Sequence, residues 1–153
     1  MGHVQESYHV DAPIEHVWEI AHDCSRILEF WTGLVDVRDC SGRLDRVGAS
    51  FTYVYRAFGR TMDVHSETTT IERPLVSEST LTAPGGGRGM LTGRFMRSGD
   101  GTEVTYTIDY ELPGGFVGSV ADRLLIERAI ERDMHHTAQN FKELCESLVR
   151  APA

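Results

Sequence analysis

Four tyrosines carry the most suggestive chemistry of this chain: Tyr53 and Tyr55 in SFTYVYRA, and Tyr106 and Tyr110 in TEVTYTIDYE. Within each pair the spacing is even, which puts both rings on one face of a strand. A phenol is apolar along its ring and polar only at its tip. Four of them on one interior face therefore need water, a polar ligand or acidic partners for their hydroxyls. Near the end of the chain Val120, Met134, Phe141 and Leu148 recur every seven residues, and Glu127 stands in the missing position. A carboxylate there either runs out to solvent at the mouth of a cavity or faces inward as an acceptor or base. If buried, it would hold its proton more tightly than usual.

Other chemistry-bearing residues lack a supporting pattern. His135 and His136 are adjacent, so on a helix they point about 100° apart and cannot act as an i, i+4 metal pair. His16 and His22 have no carboxylate arrangement around them, and no metal site is expected. APGGGRGM has no GK[ST] ending and opens no helix, so it is not a phosphate loop. It reads as a hairpin tip, either a plain turn or a gate. No GxSxG or Cys/His pattern argues for a covalent nucleophile.

The elements that must position these residues follow from periodicity. Residues 5–10 form a strand. Asp11 is a plausible cap, Pro13 suits a first helical turn, and Ile14, Val17, Trp18 and Ala21 recur at helical spacing. A second short helical stretch covers 25–30. The period then changes to two, with strands at 34–40, 49–58, 61–71, 76–83, 89–97 and 103–112, separated by glycine- and proline-marked turns. One long helix begins at Phe116 and ends near Arg150. A long antiparallel sheet must bury one face, and this last helix is the only large apolar partner left. The expected fold is α+β: about seven curved antiparallel strands wrapped round the C-terminal helix, with two short helices after strand 1 bracing one end.

Register refines the interior. In the last strand Val104, Tyr106, Ile108, Tyr110 and Leu112 alternate with polar neighbours and must face the helix. If the SGDG loop pairs Arg97 with Thr102, then Phe95 meets Val104, Gly93 meets Tyr106, Leu91 meets Ile108 and Gly89 meets Tyr110. Glycines beside inward tyrosines mark either room for a ligand or room for the ring itself. A two-residue turn at Phe58–Gly59 would point Phe51, Tyr53 and Tyr55 inward and His65 and Glu67 outward; a three-residue turn would bring His65 in. On the helix, Leu124, Ala138 and Cys145 flank the seven-residue stripe. The candidate binding residues are therefore Phe51, Tyr53, Tyr55, Leu91, Gly93, Phe95, Tyr106, Ile108, Tyr110, Leu124, Glu127 and Met134.

Bulk properties exclude several partners. With 153 residues, a formal charge of −8 and one lysine (Lys142), the chain is a poor match for phosphate backbones or an anionic membrane surface. No run approaches the ~20 apolar residues of a membrane span, and no secretory leader pattern precedes the first strand. Cys24, Cys40 and Cys145 are odd in number, far apart and without CxxC, which predicts free thiols and a cytoplasmic setting.

The order of elements, DAPIEHVWEIAHD after the first strand, and VTYTIDYELP leading into the final helix resemble the START/Bet v 1-like superfamily, and within it bacterial polyketide cyclase/dehydrase-type proteins. The resemblance covers nearly the whole chain. It implies a deep cavity between sheet and helix that takes a hydrophobic or aromatic small molecule, with no metal or nucleotide cofactor. Such a pocket serves carriage or sensing. In a cyclase it would fold a poly-β-ketone for aldol closure and water loss, with Tyr53, Tyr106 and Glu127 as the groups that polarise carbonyls and move protons. Arg94 faces solvent by register and Arg97 lies at a strand end, so no inward arginine supports that chemistry. A protein-partner role, as in chaperone cofactors of the superfamily, would instead need a large exposed apolar patch.

Overall fold

The computed structural model describes residues 2–57, 59–114 and 120–150. Strand β1 (Gly2–Val10) leads into helix α1 (Ile14–Ala21), a 3-10 turn at Cys24–Arg26 and the single-turn helix α2 (Ile27–Phe30). Six strands follow: β2 (Leu34–Arg38), β3 (Ser50–Ala57), β4 (Arg60–Glu72), β5 (Val76–Ala83), β6 (Gly87–Ser98) and β7 (Gly101–Glu111). The last element is α3 (Val120–Arg150). The sequence start expected for this helix, Phe116, lies outside the described residues.

All seven strands form one antiparallel sheet in the order β1-β7-β6-β5-β4-β3-β2. Strands β2 to β7 meander, and β1 closes the series beside β7 because the chain crosses back after α2. The β6–β7 pairing places Phe95 opposite Val104, Gly93 opposite Tyr106 and Gly89 opposite Tyr110, as the SGDG register requires. Ala57 pairs with Arg60 and Tyr53 with Val64, the two-residue-turn register, so His65 is exposed. Phe58, half of that turn, lies outside the described residues. Register shifts at Leu34/Asp36 and Thr68/Thr70 bend the sheet's far arm. The result is a curled half-barrel gripping α3.

The core is uneven. Trp18, Val17, Val10 and Val104 have no exposed surface, and they pack with Phe30, Phe95, Phe141 and Cys145 under α1 and the C-terminal half of α3. A second cluster joins Ile126, Ala129, Ile130 and Met134 of α3 to Val4, Tyr55 and Tyr110. Helix α3 lies against β1, α1 and α2, whereas its backbone makes no comparable approach to β3–β6. That asymmetry opens the interior.

Two local expectations are corrected. Asp11 does not cap α1: Pro13 holds the cap position in an extended conformation, and its carbonyl accepts from the His16 and Val17 N–H groups. Asp11 instead anchors the turn, its backbone N–H donating to Glu146 Oε2 at 2.8 Å. Cys24 and Cys40 are joined in a disulfide, with Cα atoms 6.6 Å apart, so only Cys145 is a free thiol. Sequence separation hid this pair, because the loop after β2 folds back over the 3-10 turn. The cytoplasmic expectation rested partly on three free thiols, and this bond removes that support. Among the described residues, no helix is long and apolar enough to cross a membrane.

Two outcomes test this packing. Phe141 is 1% exposed and meets Phe30 edge-on at 4.9 Å; Phe141→Ala should lower unfolding free energy by about 3–5 kcal/mol in urea titrations. Denatured without reductant, the chain should yield one reactive thiol per molecule, that of Cys145. Three reactive thiols would show that the 24–40 bond does not form.

Candidate functional site

Between the sheet and α3 lies a cavity of about 170 Å³, room on the order of ten waters. Its walls follow the register. The inward positions of β3 and β4 are Phe51, Tyr53, Tyr55, Met62, Val64, Ser66 and Thr68. Those of β5 and β6 are short: Ser77, Ser79, Gly89 and Gly93, with Leu81 and Leu91. Tyr106, Ile108 and Tyr110 of β7 form the third wall, and Ile130, Asp133, Met134 and Thr137 of α3 form the roof. Ala21, His22, Ile27 and Leu44 close one end. At the other end sit Arg88 and Glu111, which pair across the surface at 2.8 Å.

Nine of the twelve residues singled out in sequence come together on this lining: Phe51, Tyr53, Tyr55, Leu91, Gly93, Tyr106, Ile108, Tyr110 and Met134. Three do not. Phe95 is on the inward face but sealed beneath α1, 3% exposed and edge-on to Trp18 at 5.4 Å. Leu124 is 51% exposed. Glu127 is partly exposed at the flank of α3, beside Arg123 Nε at 3.7 Å. The helix explains the last two. A seven-residue repeat drifts about 20° per heptad on a straight helix, so two heptads before Phe141 the stripe has rotated away, and Ile126 and Ile130 take the buried line.

The glycines make room for rings and backbone before they make room for anything else. A Cβ on Gly93 would lie 3.0 Å from the Tyr106 ring, and one on Gly89 would lie 2.7 Å from the Asp109 carbonyl oxygen. The APGGGRGM tip is a tight turn with Gly85 and Gly86 at φ of 83° and 90°. It packs on Pro113 at the cavity rim, where a Cβ on Gly87 would come within 2.7 Å of that ring.

The polar groups of the lining fall into two kinds. Tyr55 Oη donates to Asp133 Oδ2 at 2.7 Å, a strut from β3 across the gap to α3. Burial first, and then the Asp133 carboxylate, push the Tyr55 phenol well above its ordinary value. Tyr53 and Tyr106 are also pushed up by burial, and neither hydroxyl has a hydrogen-bond partner among the described residues. Tyr110 rises to about 12, from burial and then the nearby carboxylates of Glu127 and Glu131. His22 is 5% exposed; burial lowers its pKa, and Nδ1 lies 2.8 Å from the Trp18 carbonyl.

Asp133, His22 and the β4–β5 hydroxyls are the residues that sequence reasoning missed. Ser66 and Thr68 were within reach, since outward His65 and Glu67 put them inward by alternation. Asp133 left a fainter trace, flanked by Ile130 three residues before and Thr137 four after. Among the described residues no group of three side chains could hold a metal.

The family model described as polyketide cyclase/dehydrase and lipid transport matches residues 1–146. No curated protein matches the chain. Among solved structures, the chain is similar to the Zhui aromatase/cyclase from Streptomyces sp. R1128, at TM-score 0.80 and 20% identity over 97% of this chain and 96% of that one. A protein from Thermus thermophilus aligns at TM-score 0.74 and 20% identity over 98% and 99%. The similarity extends to Ara h 8.0201, at TM-score 0.65 and 8% identity over 95% and 97%. With a family match across nearly its whole length and a Bet v 1-like helix-grip fold built around a cavity, the chain belongs to the polyketide cyclase/dehydrase and lipid transport family.

Proposed function

We propose that the chain binds a neutral, largely aromatic small molecule in the cavity between sheet and α3. The observation that carries this reading is the lining itself: a mainly apolar wall onto which Tyr53 and Tyr106 turn hydroxyls that have no protein partner among the described residues. These hydroxyls are open to a ligand's polar atoms, while its rings cover the apolar wall.

The test is native mass spectrometry of freshly purified protein, followed by titration of the emptied chain with aminoanthracene. Stoichiometric binding in the micromolar range is expected, weakened by about tenfold or more in Leu91→Trp, whose indole enters the cavity. Absence of both a co-purified molecule and dye binding would overturn the reading.

One observation favours a second reading, cyclisation and dehydration of a poly-β-ketone. The Tyr55–Asp133 pair sets a phenol and a carboxylate 2.7 Å apart on the cavity wall, the geometry of a proton relay. In this reading Asp133 takes the part that the sequence assigned to Glu127. Asp133→Asn and Tyr55→Phe separate the two: turnover of a polyketide thioester should fall by about a hundredfold in an enzyme, whereas a carrier's affinity should change by only a few-fold. A wild-type chain without turnover removes this second reading.

The tyrosines also predict alkaline behaviour. Their folded pKa values lie above the unfolded value near 10. The native state therefore binds more protons than the unfolded state above that pH, and stability falls as pH rises. Urea midpoints should hold up to about pH 9 and decline beyond about pH 10. Phenolate absorbance should appear together with loss of circular dichroism rather than before it.

A further inference from the structure

The closed end of the cavity holds a buried histidine with one nitrogen committed and the other unpartnered among the described residues. A carbonyl can only accept, so the 2.8 Å contact with the Trp18 oxygen makes His22 Nδ1 the N–H donor. In the neutral ring Nε2 is then a lone pair. Three observations keep the ring neutral and in place. Burial is the largest influence on its pKa and lowers it, while Asp45 on one side is answered by Arg43 and Arg73. The indole of Trp18 lies over it at 4.1 Å, and the Phe95 ring stands at 6.1 Å. Its backbone carbonyl accepts from the Leu44 N–H, fixing the loop that caps this end.

Beside the apolar Ala21, Ile27 and Leu44, this end carries short hydroxyl side chains. Ser77 lines the cavity opposite Gly93, one inward position from Phe95, and its hydroxyl has no hydrogen-bond partner among the described residues. Thr68, by contrast, is spent on the Leu44 carbonyl at 3.0 Å.

We propose that this end is a hydroxyl-recognition subsite in which His22 Nε2 accepts from a phenolic or enolic hydroxyl of the bound molecule. The inference rests on the cavity-binding reading above and narrows its ligand class. A guest that leads with a carbonyl would set two lone pairs against each other, and a guest that leads with an ether would leave Nε2 unpaired. An anion gains nothing, because the neutral ring offers no N–H on this side. The favoured guest is a neutral aromatic or enolised polycarbonyl molecule that enters with its hydroxyl foremost.

Naphthol and its methyl ether test this, because they differ only in the donor. The wild-type chain should bind naphthol at least about fivefold more tightly than the ether. His22→Asn keeps an N–H for the Trp18 carbonyl and withdraws the acceptor from the Nε2 position, which the shorter carboxamide does not reach. It should bring the two affinities within about twofold of each other, through a larger loss for naphthol than for the ether. Isotope-edited imidazole spectra of the wild-type chain give an independent reading: the Nε2 resonance of His22 should move with naphthol and stay put with the ether. Equal affinities in the wild type, a preference that survives in His22→Asn, or identical spectra with both probes would overturn the subsite while leaving the cavity intact. Failure of both probes to bind at all would overturn the cavity reading itself.

Discussion

The structure depends on a shortage of bulk on the inner face of the sheet. A curled sheet of seven strands must be covered, and α3 is the one element long enough to cover it. Yet α3 leans toward β1, α1 and α2, where Val4, Val10, Phe141 and Cys145 supply close packing. On the opposite arm the inward residues of β4, β5 and β6 include Ser66, Thr68, Ser77, Ser79, Gly89 and Gly93, which are too short to reach the helix. Protein interiors ordinarily leave few voids larger than a water. Here the sheet's geometry and the choice of small residues leave one an order of magnitude larger.

Holding that space open requires stiffness at its ends. At the closed end Trp18 donates to Asp45 at 3.2 Å, and Arg73 reaches the same carboxylate at 2.6 Å. Burial alone would raise the Asp45 pKa; hydrogen bonds from Arg43 and Trp18 more than offset it, and the carboxyl sits below its ordinary value. This cluster clamps the loop after β2 onto α1. The Cys24–Cys40 bond fastens that loop's start to the 3-10 turn. Farther along, the Thr32 N–H donates to Thr137 Oγ1 at 2.9 Å, tying the start of β2 to the middle of α3. Tyr55 and Asp133 span the gap itself. The walls are therefore fixed by contacts at the cavity's ends and across its gap, and a guest need not organise them.

How legible this was in the sequence varied with the physics involved. Strand parity and hairpin register are rigid rules, so the inward placement of Tyr106 and Tyr110 followed from alternation, and that of Tyr53 and Tyr55 from one of the two turn lengths the sequence left open, the two-residue turn that the β3–β4 pairing adopts. Helix phase is softer: a seven-residue spacing read Glu127 and Leu124 into the stripe, and the accumulated rotation carried them out. Phe95 had the right parity, but only the placement of α1 decides that it is sealed rather than open. Asp133 and His22 were harder still, because their significance lies in partners far along the chain, Tyr55 across the gap and Leu44 in a loop. The same is true of Cys24 and Cys40, whose proximity is a property of the folded loop.

The two ends of the cavity ask different things of a bound molecule, and this asymmetry bears on the choice between holding and transforming it. Near the roof, Asp133 already accepts from the Tyr55 hydroxyl at 2.7 Å, so a guest meets a polar pair joined before it arrives. At the closed end, burial lowers the His22 pKa, and the bond to the Trp18 carbonyl, which works the other way, fixes which ring nitrogen carries the proton. Between them Tyr106 stands edge-on to both Trp31, at 5.6 Å, and Phe95, at 5.9 Å, which fixes the plane of its ring against the central wall. In the binding reading proposed above, a molecule anchored at one end and steered by aromatic edges would have its far end delivered to the Tyr55–Asp133 pair. Carriage draws on the anchor alone; the cyclisation reading draws on the half-buried Asp133 as well, whose bond to Tyr55 already offsets part of the cost of holding it away from water.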